Sequence, residues 1–145
     1  MRRSGREHAL QPLVAAVLAP FVERSRNRVA LEIEDAPLSP QEAQMLAIRL
    51  HELATNASKH GALAGAHGRV ALTAAVEPGP SGAGLSLEWR ESGGPPLTGP
   101  PLRRGFGLLT LERALRHQHA GETVFAWAPQ GLVCRLRLRL SDSPG

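Results

Sequence analysis

Leu50-His51-Glu52-Leu53-Ala54-Thr55-Asn56-Ala57-Ser58-Lys59-His60-Gly61 is the stretch whose reading decides the fold. On a helix turning about 100° per residue, Leu46, Leu50, Leu53, Ala54 and Ala57 gather on one side as a core-facing stripe. Glu52, Asn56 and Lys59 fall on the opposite side at i, i+4 and i+7, with His60 beside them. A carboxylate, a carboxamide and an ammonium in one row suit a phosphate and a divalent cation. Asn offers a neutral oxygen to Mg²⁺, Lys a point charge to phosphate, and Glu can hold a water or an outer ligand. The same row also describes an ordinary solvated helix face with i,i+3 and i,i+4 pairs. Both readings stand on this segment alone.

Working outward, Ser39 has the chemistry of an N-cap, with Pro40 at the first helical position and Glu42 placed to close a capping box. Gly61 is the expected stop. Met45 and Ile48 fall on the polar side, where amphipathicity does not explain them. A contact with another helix or with a ligand is expected there.

Upstream, residues 1–9 read as a polar, basic, flexible leader. Leu10, Leu13, Val14, Val17, Leu18 and Phe21 recur at helical spacing, with Pro12 in the first turn. Val29 to Glu34 alternates as a strand. Downstream, Arg69 to Val76 is a second strand and Leu85 to Glu91 a third, joined by a long connection rich in Pro and Gly. Leu85, Leu87, Trp89 and Glu91 share one face of the third strand. If that face is the core, Glu91 points inward, which is costly unless hydrogen-bond donors meet it. A bound purine amine is one such donor.

Residues 92–104 are too dense in Gly and Pro for a regular element. Arg103-Arg104-Gly105-Phe106-Gly107 then leads into Leu108, Leu109, Leu111, Glu112, Ala114 and Leu115, a helical pattern that ends near Gly121. A Gly-rich helix start presents free backbone N–H groups and attracts phosphate. Two strands follow, Thr123–Ala128 and Leu132–Leu140, joined by Pro129-Gln130-Gly131, and residues 141–145 form a flexible tail. The expected fold is an α+β two-layer sandwich over residues 10–140. About five strands form a mixed sheet, with about three helices on one face.

Composition narrows the class. The sequence has 145 residues, 42% apolar and 21% charged, with a net charge of +4, which fits one folded domain. The basic balance raises nucleic-acid binding, but Tyr is absent and no basic run is interleaved with stacking aromatics. Arg135, Arg137 and Arg139 alternate as on a solvated sheet face. One cysteine, Cys134, excludes an internal disulfide and a cysteine zinc cluster, and its alternating context predicts a buried inert thiol. No apolar run reaches the ~18 residues of a membrane span, and no secretory signal is present, so the cytoplasm is the default location.

Three boxes in order carry a resemblance. His51-Glu52-Leu-Ala-Thr-Asn56-Ala-Ser-Lys59-His60-Gly-Ala-Leu resembles the N box of the HWE sensor histidine kinases. Trp89-Arg-Glu91-Ser-Gly93-Gly94-Pro resembles their Trp-x-Glu box, and Arg104-Gly105-Phe106-Gly107 their second glycine box. The resemblance spans residues 10 to 140 and implies the Bergerat-type ATP-binding fold of the GHKL superfamily. It implies ATP and Mg²⁺ as ligands, with Asn56 on the metal, Lys59 and His60 near phosphate, and Glu91 reading adenine. Gly93 and Gly94 would admit the base, and Arg104, Gly105, Phe106, Gly107 and Leu108 would line the phosphates. Glu52 matches the general base of the gyrase-like relatives. His51 would face either a phosphoacceptor helix or its own neighbours.

The implied activity is transfer of the γ-phosphoryl of Mg·ATP to a histidine. Fewer than ten residues precede the first helix, so the phosphoacceptor hairpin of this family is expected on a separate domain or chain. A response regulator is the implied downstream partner, and the domain alone is expected to be monomeric. Two other readings remain: a non-catalytic ATP-binding module that docks to a kinase or regulator, and a serine kinase of the anti-sigma type.

Overall fold

The computed structural model describes residues 9–78, 83–94, 122–128 and 131–140. Helix α1 spans Leu10–Arg24 and strand β1 Val29–Ile33. Helix α2 spans Pro40–His60, followed by β2 (Arg69–Glu77), β3 (Gly84–Ser92), β4 (Glu122–Ala128) and β5 (Gly131–Arg139).

The strands form one five-stranded sheet in the order β1-β2-β3-β5-β4. Only β1 and β2 are parallel; every other pair is antiparallel. A parallel pair cannot be joined by a tight turn, so the chain must cross over between them. Helix α2 is that crossover, which places the Asn56 segment over the sheet.

Register makes the two faces chemically distinct. Leu72, Trp89 and Cys134 are successive cross-strand partners, as are Ala74, Leu87 and Leu136, and all six are buried. One residue along, Thr73, Glu88 and Arg135 form a row on the other face. There Glu88 meets Arg90 at 2.9 Å and Arg135 at 3.0 Å, and Arg137 meets Glu77 at 3.4 Å. The Arg135 hydrogen bond holds the Glu88 carboxyl below its ordinary pKa, with burial opposing it and Arg90 adding to the lowering. The alternating arginines therefore stand on a solvated face. Cys134 is buried, as its strand context predicts.

The apolar face is covered by α1 and α2, whose Leu10, Val14, Leu18, Leu46, Leu50 and Leu53 join the sheet residues in one core. Among the described residues these are the two helices; the third expected helix, residues 108–120, lies outside them. Ala9 already bridges Pro37, and the Leu10 N–H donates to Ala36 at 2.8 Å.

Helix α2 starts as its sequence dictates. Ser39 accepts from the Glu42 N–H at 3.1 Å, and the Glu42 carboxylate accepts from the Ser39 N–H at 2.8 Å. This capping box satisfies two N–H groups that would otherwise lack partners. Amphipathicity placed Met45 on the polar side, but Met45 is buried in the core, because the covered arc of α2 is wider than the leucine stripe. Ile48 is 52% exposed.

Candidate functional site

Those of the expected site residues that are described lie where α2 and β3 end, close to the start of β5. Glu52 and Asn56 are half-buried on the flank of α2, and Lys59 and His60 are exposed in its last turn. The Asn56 side chain is oriented by the helix itself: Nδ2 donates to the Glu52 carbonyl at 2.8 Å. That bond uses the amide nitrogen and leaves the carboxamide oxygen as the acceptor of the pair. A hard cation takes oxygen ligands, and a carboxamide oxygen is one such donor, so Asn56 fits Mg²⁺. Among the described residues no three His, Cys, Asp or Glu side chains cluster as a self-sufficient metal site. A Mg²⁺ ion here would share its coordination with the phosphates it accompanies.

Glu91 faces the core at the end of β3 and is 5% exposed. Its donors come from the protein: Trp89 Nε1 reaches Oε2 at 2.9 Å, and the Ala62 N–H reaches Oε1 at 3.0 Å. The buried carboxylate therefore needs no ligand to satisfy it. Burial raises its pKa, and the hydrogen bonds from Trp89 and Ala62 act in the opposite sense.

Glycines make this close packing possible. A Cβ on Gly61 would run into Glu91 Oε1, and one on Gly131 into the Glu91 carbonyl oxygen. Gly93 has φ +75°, and a Cβ there would meet the His67 carbonyl at 3.0 Å. At Gly94 the obstacle would be Ala62 Cα at 2.7 Å. Gly61 also ties the two halves of the site together, because its N–H donates to the Asn56 and Ala57 carbonyls at 3.1 Å. The metal-binding candidate and the buried carboxylate thus meet across the last turn of α2.

His51 is exposed and stands edge-on to Phe21 of α1, with ring centroids 5.7 Å apart. Arg104, Gly105, Phe106, Gly107 and Leu108 lie outside the described residues. Sequence reasoning did not single out Arg49, which is 1% exposed and donates to Thr123 Oγ1 at 3.0 Å. The signal was present: Arg49 lies between Leu46 and Leu53 at i+3 and i+4, within the core stripe. The Ala62 donor and the close approach of Gly131 carry no such signal.

No protein-family model matches this chain. It is 35% identical over 131 residues to a blue-light-activated histidine kinase of Rhizobium johnstonii, covering 90% of this chain and 36% of that protein. A blue-light-activated histidine kinase of Brucella ovis is 32% identical over 124 residues, or 86% of this chain and 25% of that protein. The chain thus spans about a third or less of these relatives. Among solved structures, the histidine kinase domain of the Erythrobacter litoralis EL346 blue-light activated histidine kinase aligns with TM-score 0.68 and 20% identity, over 88% of this chain and 61% of that one. The catalytic domain of histidine kinase ThkA aligns with TM-score 0.61 and 17% identity, over 92% and 95%. The fold is that of histidine-kinase catalytic domains. Within that class, the chain is similar in sequence to the matched segments of the blue-light-activated histidine kinases.

Proposed function

We propose that this domain binds Mg·ATP and transfers the γ-phosphoryl group to a histidine on a separate domain or chain. The observation that carries the reading is Asn56, whose side chain is held by its own helix through the Nδ2 bond to the Glu52 carbonyl. Asn56 is the Mg²⁺ ligand and Glu91 the acceptor for the adenine amine. Gly93 and Gly94 admit the base. Lys59 and His60 lie beside the phosphates, with Arg104, Gly105, Phe106, Gly107 and Leu108 completing that wall. Glu52 holds the water shell of the metal site.

Bound Mg²⁺ supplies neutralisation of phosphate charge. The chain itself contributes positioning and fixed polar groups, as is usual for phosphoryl transfer. The bond between the bridging oxygen and the γ-phosphorus breaks, a bond from the acceptor imidazole nitrogen to that phosphorus forms, and ADP leaves with the bridging oxygen. The imidazole proton passes to solvent or to a nearby base. The acceptor helix and a response regulator are the partners in this reading. Support for the regulator comes from the structure of ThkA with response regulator protein TrrA, which shares the fold at TM-score 0.58. Among the described residues no helix is long and apolar enough to cross a membrane, in keeping with a cytoplasmic site of action.

The test is calorimetric titration of ATP with and without Mg²⁺, for wild type and Asn56→Ala. Metal-dependent binding that disappears in the variant is expected. Phosphoryl transfer to an isolated acceptor hairpin should be lost with it, and the phosphoprotein should be acid-labile. A folded wild type that takes up no ATP would overturn the proposal. A second reading, a docking module without turnover, draws on the internal satisfaction of Glu91, which lets the fold stand without a base. ATP binding with no transfer to any hairpin would favour it.

A further inference from the structure

Among the described residues Glu91 is gripped from three elements, yet only one of these contacts is a side-chain donor. Trp89, two residues back on β3, points to the same face and is itself 1% exposed. Its ring lies in the core row with Leu72 and Cys134, and its N–H reaches Glu91 Oε2. The other donor, the Ala62 N–H, is backbone, and Gly61 and Gly131 act by close approach. A phenyl ring at position 89 would keep an apolar, though smaller, aromatic body in the core but would donate nothing.

We propose that Trp89 is a positioning residue for base recognition: its indole N–H holds the Glu91 carboxylate as a fixed acceptor and so makes the site select a 6-amino purine over a 6-oxo purine. This rests on the nucleotide reading above and adds the origin of its specificity. A carboxylate has about four acceptor directions, and Trp89 and Ala62 use one on each oxygen. Those remaining suit the N–H of an exocyclic amine. They repel the oxygen of a 6-oxo purine, because an ionised carboxylate has no proton to offer it. A protonated Glu91 would lose that discrimination, since its O–H could donate to the 6-oxo group.

The Trp89 bond also favours the charged form, in the same direction as the Ala62 bond and against burial. The ionisable side chains on the neighbouring turns are Lys59, His60 and His67, all exposed. Deleting the indole donor therefore both frees the carboxylate and makes it easier to protonate.

The experiment measures ATP and ITP affinity, with Mg²⁺, for wild type and Trp89→Phe over a pH series below neutrality. ATP binding is expected to weaken about tenfold in the variant, the scale of one hydrogen bond to a charged group. The preference for ATP over ITP should fall by a similar factor. The pH at which ATP affinity is lost on acidification should move up. Equal weakening of both nucleotides, with an unmoved pH midpoint, would show a packing role only and overturn the proposal.

Should Trp89→Phe fail to fold, the wild type carries the test through its indole N–H resonance, assigned with Trp127→Phe. That signal should titrate together with the loss of ATP affinity and cease to titrate in Glu91→Gln. An indole signal indifferent to Glu91 overturns the proposal. Wild type that binds ATP while these readouts fail removes this inference alone; a folded wild type that binds no ATP removes the nucleotide reading as well.

Discussion

Gly61→Ala isolates the close contact between the end of α2 and the Glu91 carboxylate. Gly61 has φ −115°, open to alanine, so its role is one of space rather than of backbone conformation. The new methyl would occupy the position of Glu91 Oε1, with Ala57 Cα 3.1 Å away on its other side. Glu91 must yield, which breaks its bond from the Ala62 N–H. A hydrogen bond to a charged group contributes about 1.5–3 kcal/mol, and the Gly-to-Ala change returns about 0.4–1 kcal/mol by restricting the unfolded chain. A net loss of about 2 kcal/mol is expected, or about 4–8 °C in Tm for a domain of this size.

The decisive measurement is a double-mutant cycle with Glu91→Ala, by chemical denaturation at neutral pH. With the carboxylate gone, only the Ala57 contact opposes the methyl, so the cost of Gly61→Ala should fall to within about 0.5 kcal/mol of zero, leaving a coupling near 2 kcal/mol. Costs that simply add would refute the steric account of this site.

Ser39→Ala removes one arm of the capping box and should lower unfolding free energy by about 1 kcal/mol, read from a denaturant midpoint at constant slope. Gly131→Ala meets both a φ of +150° and the Glu91 carbonyl, so a loss of about 2 kcal/mol or more is expected; a neutral result would mean that the start of β5 is placed otherwise. Glu91 is raised in the folded state above its unfolded value of about 4.3. Its penalty is absent in acid, sets in as pH rises through the unfolded value, and is complete above the folded one. The stability of Glu91→Gln relative to wild type should therefore swing toward the variant across that window, and a swing the other way would contradict the burial argument.

Local chemistry made most of the scaffold legible in the sequence. Ser39, Pro40 and Glu42 announced the start of α2, and alternation in β3 put Leu85, Leu87 and Trp89 together on one face, which the fold buries. The same alternation turned Glu91 inward. What periodicity could not supply was its partners, because the Ala62 N–H is a backbone group brought in from a loop 29 residues away. Met45 was misjudged for a related reason: the width of a helix's buried arc depends on its neighbours rather than on its own repeat. Asn56 was identified from side-chain chemistry, but the bond that holds its amide to the Glu52 carbonyl follows from the fold of the preceding turn.

The grip on Glu91 also bears on how the domain assembles. Hairpins β2–β3 and β4–β5 pair neighbouring strands, whereas β1 must find β2 across the whole of α2. Glu91 is fully held only when the end of α2 and the end of β3 meet at its carboxylate and the start of β5 is docked against its backbone carbonyl. No half-folded intermediate contains the complete site. Anything that occupies it would therefore stabilise the entire cooperative unit rather than one loop, slowing amide exchange in the most protected strands as much as at the rim.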